Sequence, residues 1–417
     1  MAKSKQDELI DELINAMNGM RGKVVIPQVG ELPPQMDCFY GTIMNQYCTT
    51  DLIRHYADAI GDWRNPLWRN DEYARNTRWG GIIAPPTFLD AIIQPYAAMM
   101  PTDAEFMDVI GRYGLVQGLP NGSQRWLLKP VRPGDRFHAV SVFMGLKEVE
   151  SKHPAPVRHF DDVMRRVIFN QRDEIVSVHD RYVDFFVNYD LEKLGPYYGT
   201  RKRRKLTDEE RDSITDGYDK IKIRGADTLF WEDVNVDDEI WPLTLGPLSV
   251  QDIFAAYGGI IQAHALAFDA QWERIRRCFW FSWLDPEVNA WTCGGACHAA
   301  DHKGHAPLAS GGPAVSLYFQ NEGLLGRMIT NWMGDDATLK MLNVRMPIIP
   351  IMGDVLCQKG KVTKKYVDSG EHLVDMDVWC ENLDGDHLMV GNATVRLQTH
   401  APDYLNIISS LGRYNGP

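Results

Sequence analysis

The stretch CGGACHAADHKGHA places Cys293, Cys297, His298, Asp301, His302 and His305 within 13 residues, the densest set of reactive side chains in the chain. A neutral imidazole can take or give a proton near pH 7, so His302, oriented by Asp301 or His305, is a candidate acid or base. Cys293, Cys297, His302 and His305 also have the mixed sulfur and nitrogen character that suits zinc. Their spacing matches no standard finger or ribbon, and we expect no metal. In a third reading, the polar residues of this loop satisfy only one another and water.

Two further places could take part in chemistry. The loop GDWRNPLW carries Asp62, Asn65 and Pro66. Asp62 is a candidate for contact with a ligand, or simply a loop aspartate capping a helix or turn. Gly311-Gly312-Pro313 and Pro85-Pro86 each precede a long apolar stretch. A helix starting there would offer free N–H groups at about Ala314 to Leu317 in the first case, and at Thr87 and Phe88 in the second. Gly311 and Gly312 would let backbone approach a ligand closely, though such residues also serve as ordinary helix punctuation.

The elements that must hold these residues occur twice. Asp51 to Ile60 reads as a short helix, a second helix falls around Asp71 to Thr77, and GGIIAPPT leads into an apolar helix from about Phe88. In the second half SVQDIFAAY is again a helix, and SLYFQNEGLLGRMITNWM a long apolar one. Alternating, strand-like sequence follows each long helix, RWLLKPVRPGDRFHAVSVFMGLKEV and VMRRVIFNQRDEIVSVHDRYVDF in the first half. The second half answers with LKMLNVRMPIIPIMGDVLCQKGKVTKKYV and HLVDMDVWCENLDGDHLMVGNATVRLQ. Gly134-Asp135 corresponds to Gly353-Asp354, and Asn170 to Asn382, at a shared offset of roughly half the chain. A long helix followed by a strand meander predicts an α+β fold with an antiparallel sheet wrapped round the helix, twice over: a tandem hotdog. We divide the chain into residues 1–190, a polar linker at 191–225, and 226–417.

With 417 residues, 44% of them hydrophobic, the chain can bury substantial cores. A net charge of −12 would repel a nucleic-acid backbone, so no nucleic-acid partner is expected. The basic run from Arg201 to Lys205 is followed at once by acidic residues and reads as solvated linker. The N-terminal segment has helical spacing interrupted by Asp and Glu and lacks the apolar core of a signal peptide, and no stretch approaches the roughly 20 apolar residues of a membrane span. A cytoplasmic protein with no membrane partner is expected. Seven irregularly spaced cysteines argue for reduced thiols.

The segment YADAIGDWRNPLWRNDEYARNTRWGGIIAPPTF resembles the N-terminal dehydratase-like half of MaoC-type proteins. The second half resembles the companion MaoC-like domain through SVQDIFAAYGG, QAHALAF, GGPAVSLYFQNEGLLGRMITNWMGDD and GKVTKKYVDSGEHLVDMDVWCENLDGD. The resemblance implies a hydratase or dehydratase acting at the α,β bond of an acyl thioester, an enoyl-CoA or 3-hydroxyacyl-CoA, with no cofactor beyond the CoA carried by the substrate. In the family an Asp and a His five residues later supply acid and base, and a helix N-terminus faces the thioester oxygen. In the first half the loop fits at Asp62 and Asn65, with one extra residue between them, but Trp68 stands where His is expected. That half is therefore expected to have lost catalysis and to serve as a substrate or CoA platform. Counting back from Gly311-Gly312-Pro313 brings His302 closest to the family His, with Cys297 at the Asp position and Asp301 as a substitute. His264 in QAHALAF also matches a family position, although a lone helical His is more often a packing residue. An acyl-CoA thioesterase and a non-catalytic acyl-CoA-binding subunit remain alternatives, and the assembly expected is a homodimer or a hetero-oligomer with a related subunit.

Overall fold

The computed structural model describes residues 5–22, 24–28, 45, 47–92, 115–150, 158–187, 201–260, 268, 272, 282–285, 289–293 and 315–400. Among these, one antiparallel sheet of ten strands dominates. Its strands are β1 (Val24–Gln28), β2 (Leu115–Leu127), β3 (Phe137–Val149), β4 (His159–Asn170), β5 (Ile175–Val187), β6 (Glu239–Leu245), β9 (Thr338–Arg345), β10 (Leu356–Asp368), β11 (Glu371–Glu381) and β12 (His387–Arg396); β7 (Ser282–Asp285) and β8 (Ala290–Cys293) form a separate pair.

The order across the large sheet is β1-β3-β4-β5-β2-β9-β12-β11-β10-β6. Read inward from either edge, it is an edge strand, a three-strand meander and then the strand that comes just before that meander in the chain. The halves join where β2 pairs with β9, from Gly122 opposite Arg345 to Trp126 opposite Met341. This is the tandem hotdog that the repeat predicts.

Atomic detail repeats too. Gly134 and Gly353 both hold positive φ, 93° and 98°. Asp135 Oδ2 accepts from Arg132 N at 2.8 Å, as Asp354 Oδ2 accepts from Ile351 N at 2.8 Å. Asn170 closes the β4–β5 turn by accepting from the backbone N–H groups of Arg172 and Glu174. Asn382 does the same for Asp384 and Asp386 in the β11–β12 turn. A side-chain oxygen that replaces a backbone acceptor within a tight turn explains why Asn stands at both corners.

Six helices complete the described chain: α1 (Lys5–Gly19), α2 (Thr50–Ala59), α3 (Asp71–Arg75), α4 (Asp208–Tyr218), α5 (Val250–Gly259) and α6 (Tyr318–Met333). All 16 residues of α6 are buried, so it is the helix that the second half wraps. α1 lays Ile10, Leu13 and Met17 on Phe143, Phe160, Met164 and Val183. α4 lies inside the stretch expected to be a polar linker, its start fixed by a reciprocal capping box between Thr207 and Glu210. Within the basic run, Arg201 forms a two-point ion pair with Asp354 at 2.8 and 2.9 Å, and Arg204 pairs with Glu210.

Two expected helix starts need correction. Phe88–Ala91 forms a 3-10 turn rather than the opening of an α-helix, and residues 93–114 lie outside the described residues. α6 begins at Tyr318, four residues beyond Ala314, because Val315 is spent in a bridge to Ile351 and Ser316 N donates to Pro350 O. The first helical hydrogen bond runs from Asn321 N to Leu317 O, which leaves Tyr318, Phe319 and Gln320 to supply the leading N–H groups.

Candidate functional site

α2 presents Leu52, Ile53, Tyr56 and Ala57 to the core and stops at Ala59. Gly61 then turns the chain at φ +67°, where a Cβ would lie 2.8 Å from Arg327 Nη1. This turn brings Asp62 inward, and its N–H donates to Ala57 O at 2.7 Å. Asn65 caps a 3-10 turn, Pro66–Trp68, by accepting from Leu67 N at 3.1 Å. The turn swings the indole of Trp68 back over Asp62, and Nε1 donates to Asp62 Oδ2 at 2.6 Å.

Asp62 is 1% exposed, and its second oxygen, Oδ1, has no hydrogen-bond partner. Arg327 of α6 brings Nε to 3.7 Å from that oxygen. Burial raises the Asp62 carboxyl above its usual range, and Arg327 and Trp68 only partly offset this. A carboxyl with a raised pKa is suited to proton transfer in principle, but an indole neither takes nor releases a proton at neutral pH. The Asp62–Trp68 pair therefore lacks the second member of an acid-base couple.

Beside the loop lies an apolar cavity of about 80 Å³, lined by Asn65, Trp68, Pro85, Pro86, Leu127 and Met333 among others. Thr87, at the foot of the 3-10 turn, is fully buried and accepts from Tyr56 OH at 2.7 Å. His302, Asp301, His305, Gly311, Gly312, Ala314 and His264 lie outside the described residues, as does Cys297, and Cys293 closes β8.

A second polar cluster, which no sequence pattern singles out, sits where the halves meet. Arg125 of β2 is 2% exposed; its Nη1 donates to Asp90 Oδ2 at 2.9 Å and its Nη2 to Glu322 of α6. His179 Nδ1 stands 3.9 Å from Asp90 Oδ1. Burial, aided by Arg125, Arg166 and Arg181, holds the His179 imidazole well below its ordinary pKa and so neutral. Burial also raises Asp90 and pushes Glu322 up to about 7, against the pull of Arg125. Nothing in the local sequence marks them: Arg125 lies on β2 and Glu322 on a helix all of whose residues are buried.

Among the described residues, His159, Asp161 and Asp184 bring ligand-type atoms within 4.8 Å of one another. Asp161 already pairs with Arg345 at 2.8 Å and accepts from Asn121 at 3.2 Å, while His159 Nε2 meets Asp184 Oδ1 at 2.7 Å. With the Arg345 guanidinium and the Asn121 amide already on these carboxylates, we read an ion-pair cluster here. Cys48, Cys357 and Cys380 are free thiols.

Residues 44–178 match the family model described as FAS1-like, dehydratase domain region. A UPF0336 protein of Streptomyces avermitilis is 31% identical over 107 residues, 25% of this chain and 67% of that protein. A UPF0336 protein of Parafrankia sp. is 37% identical over 98 residues, 23% of this chain and 60% of its relative. In fold, the chain resembles a solved structure described as a MaoC-like dehydratase, with a TM-score of 0.54 at 15% identity over 85% of this chain and 97% of that one. With 31% identity over two thirds of a UPF0336 protein, the chain belongs to that protein's family, and its paired hotdogs share the fold of the solved MaoC-like dehydratase.

Proposed function

We propose that this protein is a hydratase or dehydratase that adds or removes water at the α,β bond of an acyl-CoA thioester. The observation that carries the reading is the match of residues 44–178 to the FAS1-like dehydratase region, within which the hydrogen bond from Trp68 to Asp62 sets an indole where the resemblance expects the proton-exchanging His. Proton transfer then falls to the second half, where His302, with Asp301 or His305, is our candidate centre. In hydration the base takes a proton from water as its oxygen bonds to the β carbon, and a proton is delivered to the α carbon. The thioester oxygen carries negative charge in between. N–H groups at the start of α6, with Gly311 and Gly312 before it, are suited to stabilise that charge. The first half, with Asp62, Asn65 and the neighbouring apolar cavity, serves as a platform for the acyl group.

No cofactor beyond the CoA of the substrate enters this scheme. Among the described residues no helix is long and apolar enough to cross a membrane. We place the protein in the cytoplasm, as a homodimer or with a related subunit. The test is a panel of enoyl-CoA and 3-hydroxyacyl-CoA thioesters read by mass spectrometry, with gain or loss of one water as the expected result. Release of free CoA would instead assign a thioesterase. The Trp68 substitution also favours a second reading, a non-catalytic acyl-CoA-binding subunit, identified by turnover that appears only when a neighbour-encoded protein is added.

A further inference from the structure

On the face of the first half's sheet that α1 and α6 cover, a charged band separates two apolar cores. Ala139 and Ile168, cross-strand partners on β3 and β4, belong to the main core, while Phe143 and Met164, four residues along each strand, pack beneath α1. Between them Ser141, Arg166, His179 and Arg125 stand opposite one another across β3, β4, β5 and β2. Arg181, two residues along β5 from His179, faces the same way. Arg125 has its counter-charges in Asp90 and Glu322. Among the described residues, Arg166 and Arg181 have no carboxylate within ion-pair distance.

Arg166 is 7% exposed, and its hydrogen bond from Nε to Ser141 Oγ is 3.3 Å long. Burial and the neighbouring Arg181 lower this guanidinium to about 10. Arg181 Nε is buried without a partner, as are His179 Nε2 and the hydroxyl of Tyr318, a residue of α6 that is 6% exposed. Arg166 and Arg181 act electrostatically on both His179 and Tyr318, so the four side chains converge. Burial keeps the phenol protonated, and a neutral imidazole can carry its proton on Nε2, so all four present donors. Asp162 also feels Arg181, but burial pushes its carboxyl up to about 7 and leaves the cations under-compensated near neutral pH. Unpaired cations and donors are costly to bury, and four of them in one place point to an anionic occupant.

We propose that this band is a binding site for a small organic carboxylate, held by Arg166 and Arg181 with the Tyr318 hydroxyl and His179 Nε2 donating beside them. A carboxylate brings one charge and two oxygens in a plane, which matches the fork of a guanidinium. The apolar rows on either side, Ala139 with Ile168 and Phe143 with Met164, favour an organic acid over inorganic phosphate. The same group is carried by a free short-chain acid and by an acyl chain that ends in a second carboxylate. Leu127, two residues along β2 from Arg125, lines the apolar cavity, so such a chain has an apolar site close by. The proposal goes beyond the hydratase reading and does not rest on it.

Calorimetric titration of the full chain tests it, with butyrate, uncharged butyramide and inorganic phosphate as one set of probes and glutaryl-CoA and pentanoyl-CoA as another. Arg166→Met and Arg181→Gln should each weaken carboxylate binding at least tenfold. The urea midpoint of Arg166→Met should stay level or rise, because a buried charge without a counter-ion is removed. Arg181→Gln keeps a polar side chain at a half-buried position, so the test stands even where Arg166→Met fails to fold. Butyrate binding without butyramide binding, and equal affinities for the two thioesters, assigns the free acid. Preference for glutaryl-CoA over pentanoyl-CoA that Arg181→Gln erases assigns the end of an acyl chain. None of these probes is an enoyl or 3-hydroxyacyl thioester, so the outcome is separate from the search for water addition. Neither butyrate binding nor a glutaryl-CoA preference, binding that the substitutions leave unaltered, or phosphate held more tightly than butyrate overturns the proposal.

Discussion

Trp68 Nε1 donates to Asp62 Oδ2 at 2.6 Å, both residues being almost wholly buried, and this is the principal direct hydrogen bond that the Asp62 carboxylate accepts. Trp68→Phe deletes the donor while keeping an aromatic in place. The stranded carboxylate should cost about 1–3 kcal/mol when ionised. The Asp62 carboxyl is already raised by burial, so its contribution to stability is fully present below its unfolded pKa and is lost as pH rises through the folded one. The variant should therefore lose more stability at pH 8 than at pH 4 in urea titrations, and turnover should be little changed. A collapse of turnover with folding intact would return the chemistry to the first half.

Arg125 lies between two buried carboxylates, Asp90 and Glu322, one from each half of the fold. Removing the cation by Arg125→Leu leaves both uncompensated and should destabilise by about 3–5 kcal/mol. Glu322 gives the pH signature. Its folded pKa, near 7, exceeds the ordinary 4.5, so the stability it confers is complete below 4.5 and lost as pH rises through 7. Glu322→Gln should flatten the fall in unfolding free energy across that window, by an amount on the order of 1–3 kcal/mol. A pH profile unchanged by the substitution would show that Glu322 does not titrate there.

Asn170 and Asn382 make the same pair of side-chain to backbone hydrogen bonds in equivalent turns. Replacing either with Ala should cost a similar amount, about 1–2 kcal/mol, since each frees two turn N–H groups that water can partly satisfy. The two turns share no partners, so the double variant should be additive to within roughly 0.5 kcal/mol. Chemical denaturation of the four proteins checks this, and a large coupling would mean that the turns do not belong to independent halves of the sheet.

The doubled fold was legible because its landmarks are local. A Gly-Asp entering a strand and an Asn closing a turn are dictated by a few residues of backbone, so both survive in the sequence at a shared offset. Trp68 was legible as a departure from the family pattern, though not as a donor to Asp62, since that contact depends on the 3-10 turn at Pro66. Asp90, Arg125, His179 and Glu322 were not legible at all. Their meeting depends on the Phe88–Ala91 turn, β2, β5 and α6 converging, with Arg125 and Glu322 alone 197 residues apart in the chain, and no local period records it. The start of α6 was misjudged because Pro313 signals a helix, whereas the bridge from Val315 to Ile351 delays it.

The stretch from 293 to 305 carries the sharpest prediction. If His302 is the acid or base, one of its ring nitrogens must exchange protons freely, whereas a zinc ligand has that nitrogen committed to the metal. Water addition to a thioester needs proton transfer and a site for the developing oxyanion, and the irregular spacing of Cys293, Cys297, His302 and His305 suits neither a finger nor a ribbon. His302→Ala should therefore abolish most turnover without altering the unfolding midpoint. Purified protein should hold no stoichiometric zinc, and chelators should leave its rate unchanged. Elemental analysis finding one tightly bound zinc per chain, lost together with activity in Cys293→Ala or Cys297→Ala, would replace the acid-base assignment with a metal centre.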